Sequence, residues 1–207
     1  MLKKFVLGTI AAVVLAACGG ESSNSASSAP AQSGAASGSL IERINNKGTI
    51  TVGTEGTYAP FTYHDKDGKL TGYDVEVTRA VADKLGVKVE FKETQWDSMM
   101  AGLKAGRFDV VANQVGLTSP ERQATFDKSE PYSWSGAVLV ARKDSNIKSI
   151  DDIKGVKTAQ SLTSNYGEKA KAAGAELVPV DGLAQSLTLI EQKRADATLN
   201  DELAVLD

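Results

Sequence analysis

Residues 156–199 read VKTAQSLTSNYGEKAKAAGAELVPVDGLAQSLTLIEQKRADATL, a regular alternation of strand and helix. Val156 to Gln160 is a short strand rich in small and β-branched residues, followed by a polar turn and a helical segment from about Asn165 to Ala172. Glu176 to Val180 is the next strand. A helix carrying Leu183, Leu187 and Ile190 follows, and then a strand from Ala195 to Leu199. Strands that alternate with helices in this way imply a parallel sheet with crossover helices.

The same order precedes it. Thr49 to Gly53 reads as a buried strand, and Asp74 opens a helix with Val77, Val81 and Leu85 on one face, ended by Gly86. Val87 to Phe91 is a strand. Trp96, Met99, Met100 and Leu103 then fall at i, i+3, i+4 and i+7, an amphipathic helix stopped near Gly106. Phe108 to Ala112 and Gly136 to Ala141 are further strands, and a polar stretch from Arg142 to Ser149 separates the two halves. The reading is an α/β protein of two similar lobes, residues 40–141 and 142–207, each a mostly parallel sheet with crossover helices.

Composition narrows the functional classes. The chain has 207 residues, 23 basic and 26 acidic, with a net charge of -3, and it shows no basic block of the kind a dedicated nucleic-acid binder carries. One cysteine and one histidine exclude an internal disulfide and leave too few ligands for a zinc site. His64 stands in Tyr63-His64-Asp65-Lys66-Asp67-Gly68, which reads as a hairpin turn with a solvated, inert histidine. Its aspartates fail the spacing of a calcium loop. No metal and no cofactor are implied.

The N-terminus reads as an address. Lys3 and Lys4 precede an apolar run from Phe5 to Ala17 that is too short to span a bilayer. The run ends Leu15-Ala16-Ala17-Cys18-Gly19, which resembles the bacterial lipobox, with Cys18 the lipidated new N-terminus. Residues 1–17 are then a lipoprotein signal peptide, and the lipid on Cys18 anchors the protein to a membrane on the periplasmic or outer side. Residues 18–39, mostly Ser, Ala and Gly beyond the cysteine, read as a flexible tether with a reach of roughly 25 Å.

In open parallel sheets, ligands bind beyond the carboxyl ends of the strands. Those ends carry Thr54-Glu55-Gly56-Thr57-Tyr58, Asn113-Gln114-Val115-Gly116-Leu117-Thr118, Ser161-Leu162-Thr163-Ser164-Asn165 and Asn200-Asp201-Glu202. All are rich in hydroxyl, amide or charged groups and stand where helices begin.

Here the sequence resembles a family. Gly53 to Phe61, followed by Gly68-Lys69-Leu70-Thr71-Gly72-Tyr73-Asp74-Val75-Glu76-Val77, resembles the opening signature of bacterial extracytoplasmic solute-binding proteins, family 3, the polar amino-acid receptors of ABC importers. Trp96-Asp97-Ser98-Met99-Met100, Ser119-Pro120-Glu121-Arg122 and Ala195-Asp196-Ala197 with Asp201 match later blocks. The resemblance implies a two-lobed periplasmic-binding-protein-like fold of type II that closes on one amino acid and hands it to a membrane-embedded permease. It implies ligand contacts from Glu55, Tyr58, Trp96, Gln114, Gly116, Thr118, Arg122, Thr163, Ser164 and Asp201. The cystine-binding members are the nearest in feel, through Asn113-Gln114-Val115 and the aromatic residues. Members of the family run on for about another half-lobe, so the resemblance also implies that the second lobe is incomplete here.

The chemistry of a free amino acid suits these residues. Arg122 can grip the α-carboxylate through two parallel hydrogen bonds, and backbone N–H groups near Thr118 and Ser164 can add to that grip. Asp201 can pair with the α-ammonium. Each residue also has a plainer reading: Arg122 as a surface arginine, Asp201 as a helix N-cap, Trp96 as core beside Met99 and Met100, Glu55 as a turn cap. An enzyme on the same fold, dehydratase or lyase-like, would have only Glu55 and Asp201 as acid or base. A sensing or adhesive surface lipoprotein would leave the polar strand ends without a purpose.

Overall fold

The computed structural model describes residues 38–207, so the expected signal peptide, Cys18 and most of the expected tether lie outside the described residues. The first element is α1 (Leu40–Lys47), opened by a capping box between Ser39 and Glu42 and closed by Gly48 at φ 66°. It leads into β1 (Thr49–Thr54), whose last five residues are buried. A small antiparallel sheet of β2 (Thr57–Tyr58), β3 (Thr62–His64) and β4 (Leu70–Thr71) follows. Then come α2 (Tyr73–Leu85), β5 (Lys88–Glu93), α3 (Trp96–Lys104), β6 (Val110–Val111) and α4 (Pro120–Thr125).

The second half holds β7 (Ala137–Ala141), β8 (Lys157–Gln160), α5 (Asn165–Ala172), β9 (Glu176–Pro179), α6 (Leu183–Glu191), β10 (Ala197–Asp201) and α7 (Glu202–Leu206). The sheet orders are β5-β1-β6 and β7-β10-β8-β9. In each half the first parallel strand lies in the middle, flanked by the second and third. The two halves therefore repeat one topology.

Apolar packing follows the sheets. Ile50 and Val52 of β1 meet Ile44, Ala82 and Ala112 in the first half. The second sheet is covered on both faces. One cluster joins Ala159 and Val180 to Leu189 and Ile190, and another joins Ala197 and Leu199 to Ile153 and Ala170. Burial on both faces is what a parallel sheet requires.

Three details depart from the sequence reading. The buried face of α2 is Val75, Thr78 and Ala82 with Asp74, while Val81 and Leu85 are exposed at 49% and 38%. The helix turns this way because Asp74 anchors a neighbouring loop, as described below. The strand expected from Phe108 pairs only at Val110–Val111. The Phe108 ring lies where a Cβ on Gly53 or Gly102 would sit, and Asp109 occupies the Thr51 N–H with its carboxylate at 2.8 Å. Finally, β7, placed by sequence in the first lobe, runs antiparallel to β10 in the second sheet. The chain thus changes sheets before Ala137 and not at Arg142.

Candidate ligand-binding site

The site grows from the carboxyl ends of β1 and β6. Asn113, 1% exposed, ties the two loops together. Its Oδ1 accepts from the Glu55 N–H at 2.8 Å, and its Nδ2 donates to Glu55 Oε2 at 2.6 Å. Burial pushes the Glu55 carboxyl above the usual carboxylate range. The Asn113 amide and the backbone N–H of Trp96, at the start of α3, oppose that push, and the Asp97 charge adds to it. Glu55 therefore sits beside the start of α3 and lines the cavity.

The next loop is held from behind by Asp74, a fully buried carboxylate. It accepts from Gln114 N–H at 2.7 Å, Gln114 Nε2 at 2.6 Å and Tyr132 Oη at 3.0 Å. Burial outweighs these bonds and raises its pKa. Gln114 sits at φ 49°, and its Oε1 accepts from Ser133 Oγ. Gln114 lines the cleft as expected, and its side-chain amide is held at both ends by this scaffold.

Arg122 is 7% exposed. It lies in α4, whose N-cap Ser119 and Pro120 set the helix start. Its Nη1 donates to the Gly116 carbonyl at 3.0 Å, its Nη2 donates to the Thr163 carbonyl of the second half, and its guanidinium carbon lies 5.5 Å from the Trp96 ring centre. Two of five N–H donors are used, so three remain.

From the second half come the ends of β8 and β10 and the starts of α5 and α6. Ser164 caps α5, accepting from Gly167 N–H at 2.9 Å and donating to the Ser161 carbonyl at 2.9 Å. Asp201 caps α7, accepting from the N–H groups of Leu203 and Ala204 and from Ser135 Oγ at 2.8 Å. Its other oxygen accepts from Tyr166 Oη at 3.4 Å. Tyr58 Oη donates to Asn200 Oδ1 at 2.7 Å, joining the halves. Burial raises the phenol pKa values of Tyr58 and Tyr166, the Asp201 charge adding to both, so each stays a donor.

Between the halves lies a narrow cleft with an internal cavity of about 50 Å³. Glu55, Tyr58, Trp96, Gln114 and Ser164 line it, as do Asn113, Gln160, Tyr166, Ser186 and Asn200. Gly116, Thr118, Arg122, Thr163 and Asp201 are not part of this lining, though Arg122 lies against the Trp96 ring and Asp201 accepts from Tyr166. Sequence reasoning missed Tyr166 and the start of α6, Gly182-Leu183, because neither directly follows a strand flagged for polar residues. Gln160 and Asn200 were signalled by their place at strand ends.

Two peripheral readings also change. His64 is not inert: Nδ1 lies 3.1 Å from the Gly56 carbonyl and Nε2 3.1 Å from Glu93 Oε1. Asp65 serves the hairpin turn, its Oδ1 accepting from the N–H groups of Asp67 and Lys69. Among the described residues there is no cluster of metal-ligating side chains, and no helix is long and apolar enough to cross a membrane.

This architecture, two α/β lobes around an interlobe cleft, is that of solute-binding proteins. Residues 50–204 match the bacterial extracellular solute-binding proteins, family 3, and the chain belongs to that family. It is 63% identical over 171 residues to a probable amino-acid ABC transporter-binding protein of Haemophilus influenzae, covering 82% of this chain and 66% of that one. It is 56% identical to the L-cystine-binding protein TcyA of Bacillus subtilis, covering 100% of this chain and 75% of that one. The chain thus spans about two thirds to three quarters of these relatives.

A crystal structure of the L-cystine solute receptor of Neisseria gonorrhoeae, in an unliganded open conformation, is 96% identical. It covers 83% of this chain and 72% of that one, with a TM-score of 0.50. An ancestral amino-acid-binding protein, described as a precursor of cyclohexadienyl dehydratase, is 35% identical with a TM-score of 0.75, covering 81% of this chain and 76% of that one. The relatives named here at highest identity are named as binding proteins or receptors.

Proposed function

We propose that this chain is the receptor of an ABC-type amino-acid importer, that it captures L-cystine between its lobes, and that Cys18 carries a lipid anchor outside the cytoplasm. The observation that carries the reading is the interlobe cleft, walled by Tyr58, Trp96 and Tyr166, with one cation, Arg122, against the Trp96 ring and one anion, Asp201, accepting from Tyr166. A free amino acid needs that pair of charges at its head group, with the remaining Arg122 donors for the carboxylate and Asp201 for the ammonium. Cystine is named for TcyA and for the 96%-identical receptor, which supports the choice among amino acids.

The lobes are bridged here, whereas that receptor is described as open. We read closure as the act of capture: Arg122 lets go of the Thr163 carbonyl or shares its fork with the incoming carboxylate. The lipobox-like Leu15-Ala16-Ala17-Cys18 and the Ser/Ala/Gly-rich stretch after it support a receptor tethered within reach of a permease.

The test is non-denaturing mass spectrometry of the purified receptor, followed by calorimetric titration with a panel of amino acids. Co-purification or displacement of cystine, with weaker binding of glutamine, glutamate and arginine, is the expected result. A protein that binds none of the panel overturns the reading, and one that prefers another amino acid overturns the choice of cystine.

A further inference from the structure

Thr163 and its partner Asp97 join the halves from exposed positions. Thr163 lies outside the cleft lining, yet three of its atoms are held by the first lobe. Its N–H and its Oγ1 both donate to Asp97 Oδ1, at 3.0 and 2.7 Å, and its carbonyl accepts from Arg122 Nη2. Asp97 is itself exposed, in the first turn of α3, and does not line the cleft either. The other bridging bond, Tyr58 to Asn200, joins two residues of the cleft wall, so an entering ligand competes with it.

We infer that Asp97 is a latch residue: by holding Thr163 it sets the balance between open and closed lobes in the ligand-free receptor, and so tunes affinity without touching the ligand. This rests on the receptor reading of the cleft. The physical logic is that of a pre-equilibrium. Apparent affinity falls in proportion to the fraction of the competent state, and that fraction depends on contacts made only when the lobes meet. A carboxylate that accepts two donors from one residue is such a contact. Because neither partner faces the cleft, the latch bond acts on all ligands by one factor, and Thr163→Val, which leaves the Asp97 charge beside Glu55 in place, reads that factor and an unchanged ranking directly.

Three variants of the full receptor test this: Asp97→Ala removes the acceptor, Asp97→Asn keeps a carbonyl acceptor without the charge, and Thr163→Val removes only the hydroxyl. The first measurement is small-angle X-ray scattering of the ligand-free proteins. Asp97→Ala is expected to enlarge the radius of gyration, Thr163→Val to do so less, and Asp97→Asn to stay near wild type. The second is calorimetric titration with L-cystine and with the strongest competing amino acid. Asp97→Ala is expected to weaken binding about 3- to 10-fold, and Thr163→Val to weaken both amino acids by one smaller factor.

A ligand-free scattering profile unchanged by Asp97→Ala overturns the latch, as does a changed ranking of ligands in Thr163→Val. If no amino acid binds even the wild type, the receptor reading has failed, and the scattering comparison still decides whether Asp97 holds the lobes together.

Discussion

Replacing Arg122 by lysine keeps the charge and discards the fork. In the ligand-free protein, Arg122 serves two backbone carbonyls on different lobes, Gly116 and Thr163, while its plane lies over Trp96. A lysine ammonium is a single point on a flexible stem, so it reaches one carbonyl and loses the stacking. Losing the hydrogen bond to one of these partly exposed carbonyls costs about 0.5–1.5 kcal/mol, and loss of the contact with the ring adds about 0.5–1 kcal/mol. The variant is therefore expected to melt several degrees lower, since about 1 kcal/mol corresponds to about 2–4 °C in a chain of this size.

Binding suffers separately. Against a carboxylate the variant forfeits one charge-assisted hydrogen bond, about 1.5–3 kcal/mol, which is about a 10- to 100-fold loss of affinity. The assay is calorimetric titration with L-cystine, paired with a thermal melt of the ligand-free protein so that the two losses are read apart. An Arg122→Lys receptor that binds within twofold of wild type refutes the carboxylate role. One whose melt is unchanged refutes the structural role. Arg122→Ala would confuse the two, because it abandons both carbonyls at once.

Other expectations follow from the same geometry. Asp201→Asn preserves a good N-cap for α7, so the melt should move by less than about 0.5 kcal/mol while amino-acid affinity drops about 10-fold; equal affinity in a titration removes Asp201 from the ammonium. Asn113→Ala strips the link between the loops after β1 and β6 and is expected to cost about 2–4 kcal/mol in a denaturant melt, a change below 1 kcal/mol arguing against that link. Glu55 has its pKa raised by burial, so its contribution to stability is full below its unfolded value and is lost as pH rises through the folded one. The melting advantage of Glu55→Gln over wild type should consequently grow as pH is raised from about 4 to 7, and a gap that shrinks would contradict the sign. Cys18→Ala should move the receptor from the membrane pellet to the soluble fraction, and persistence in the pellet rules out the lipid anchor.

The alternation of strand and helix was legible because short apolar strands and capped helices announce themselves within a few residues. Glycines at helix ends and N-caps such as Ser119 and Ser164 carry that information locally. What sequence could not show is which groups are consumed by the scaffold. Gln114 lines the cleft, but nothing near it in the sequence shows that Asp74, far away in the chain, holds its amide. Asp74 in turn looks like a helix start until its burial turns the exposed face of α2 toward Val81 and Leu85. Likewise the antiparallel β7 has no local signature: its direction depends on which edge of the second sheet is free when the chain arrives.

That strand also bears on the order in which the molecule assembles. Residues 49–111 contain every strand of the first sheet, so this half has all its pairing partners once Val111 has emerged from the secretion channel. β7 emerges next but must wait for β10, since Val138 pairs with Asn200 and Ala137 with Asp201. Until then an apolar strand, Ala137-Val138-Leu139-Val140-Ala141, is exposed with no ladder partner. Late-closing pairs of this kind slow folding and invite aggregation. The second lobe is accordingly the stage at which a chaperone on the far side of the membrane would matter, and pulse-labelled hydrogen exchange should find β1 protected well before β7.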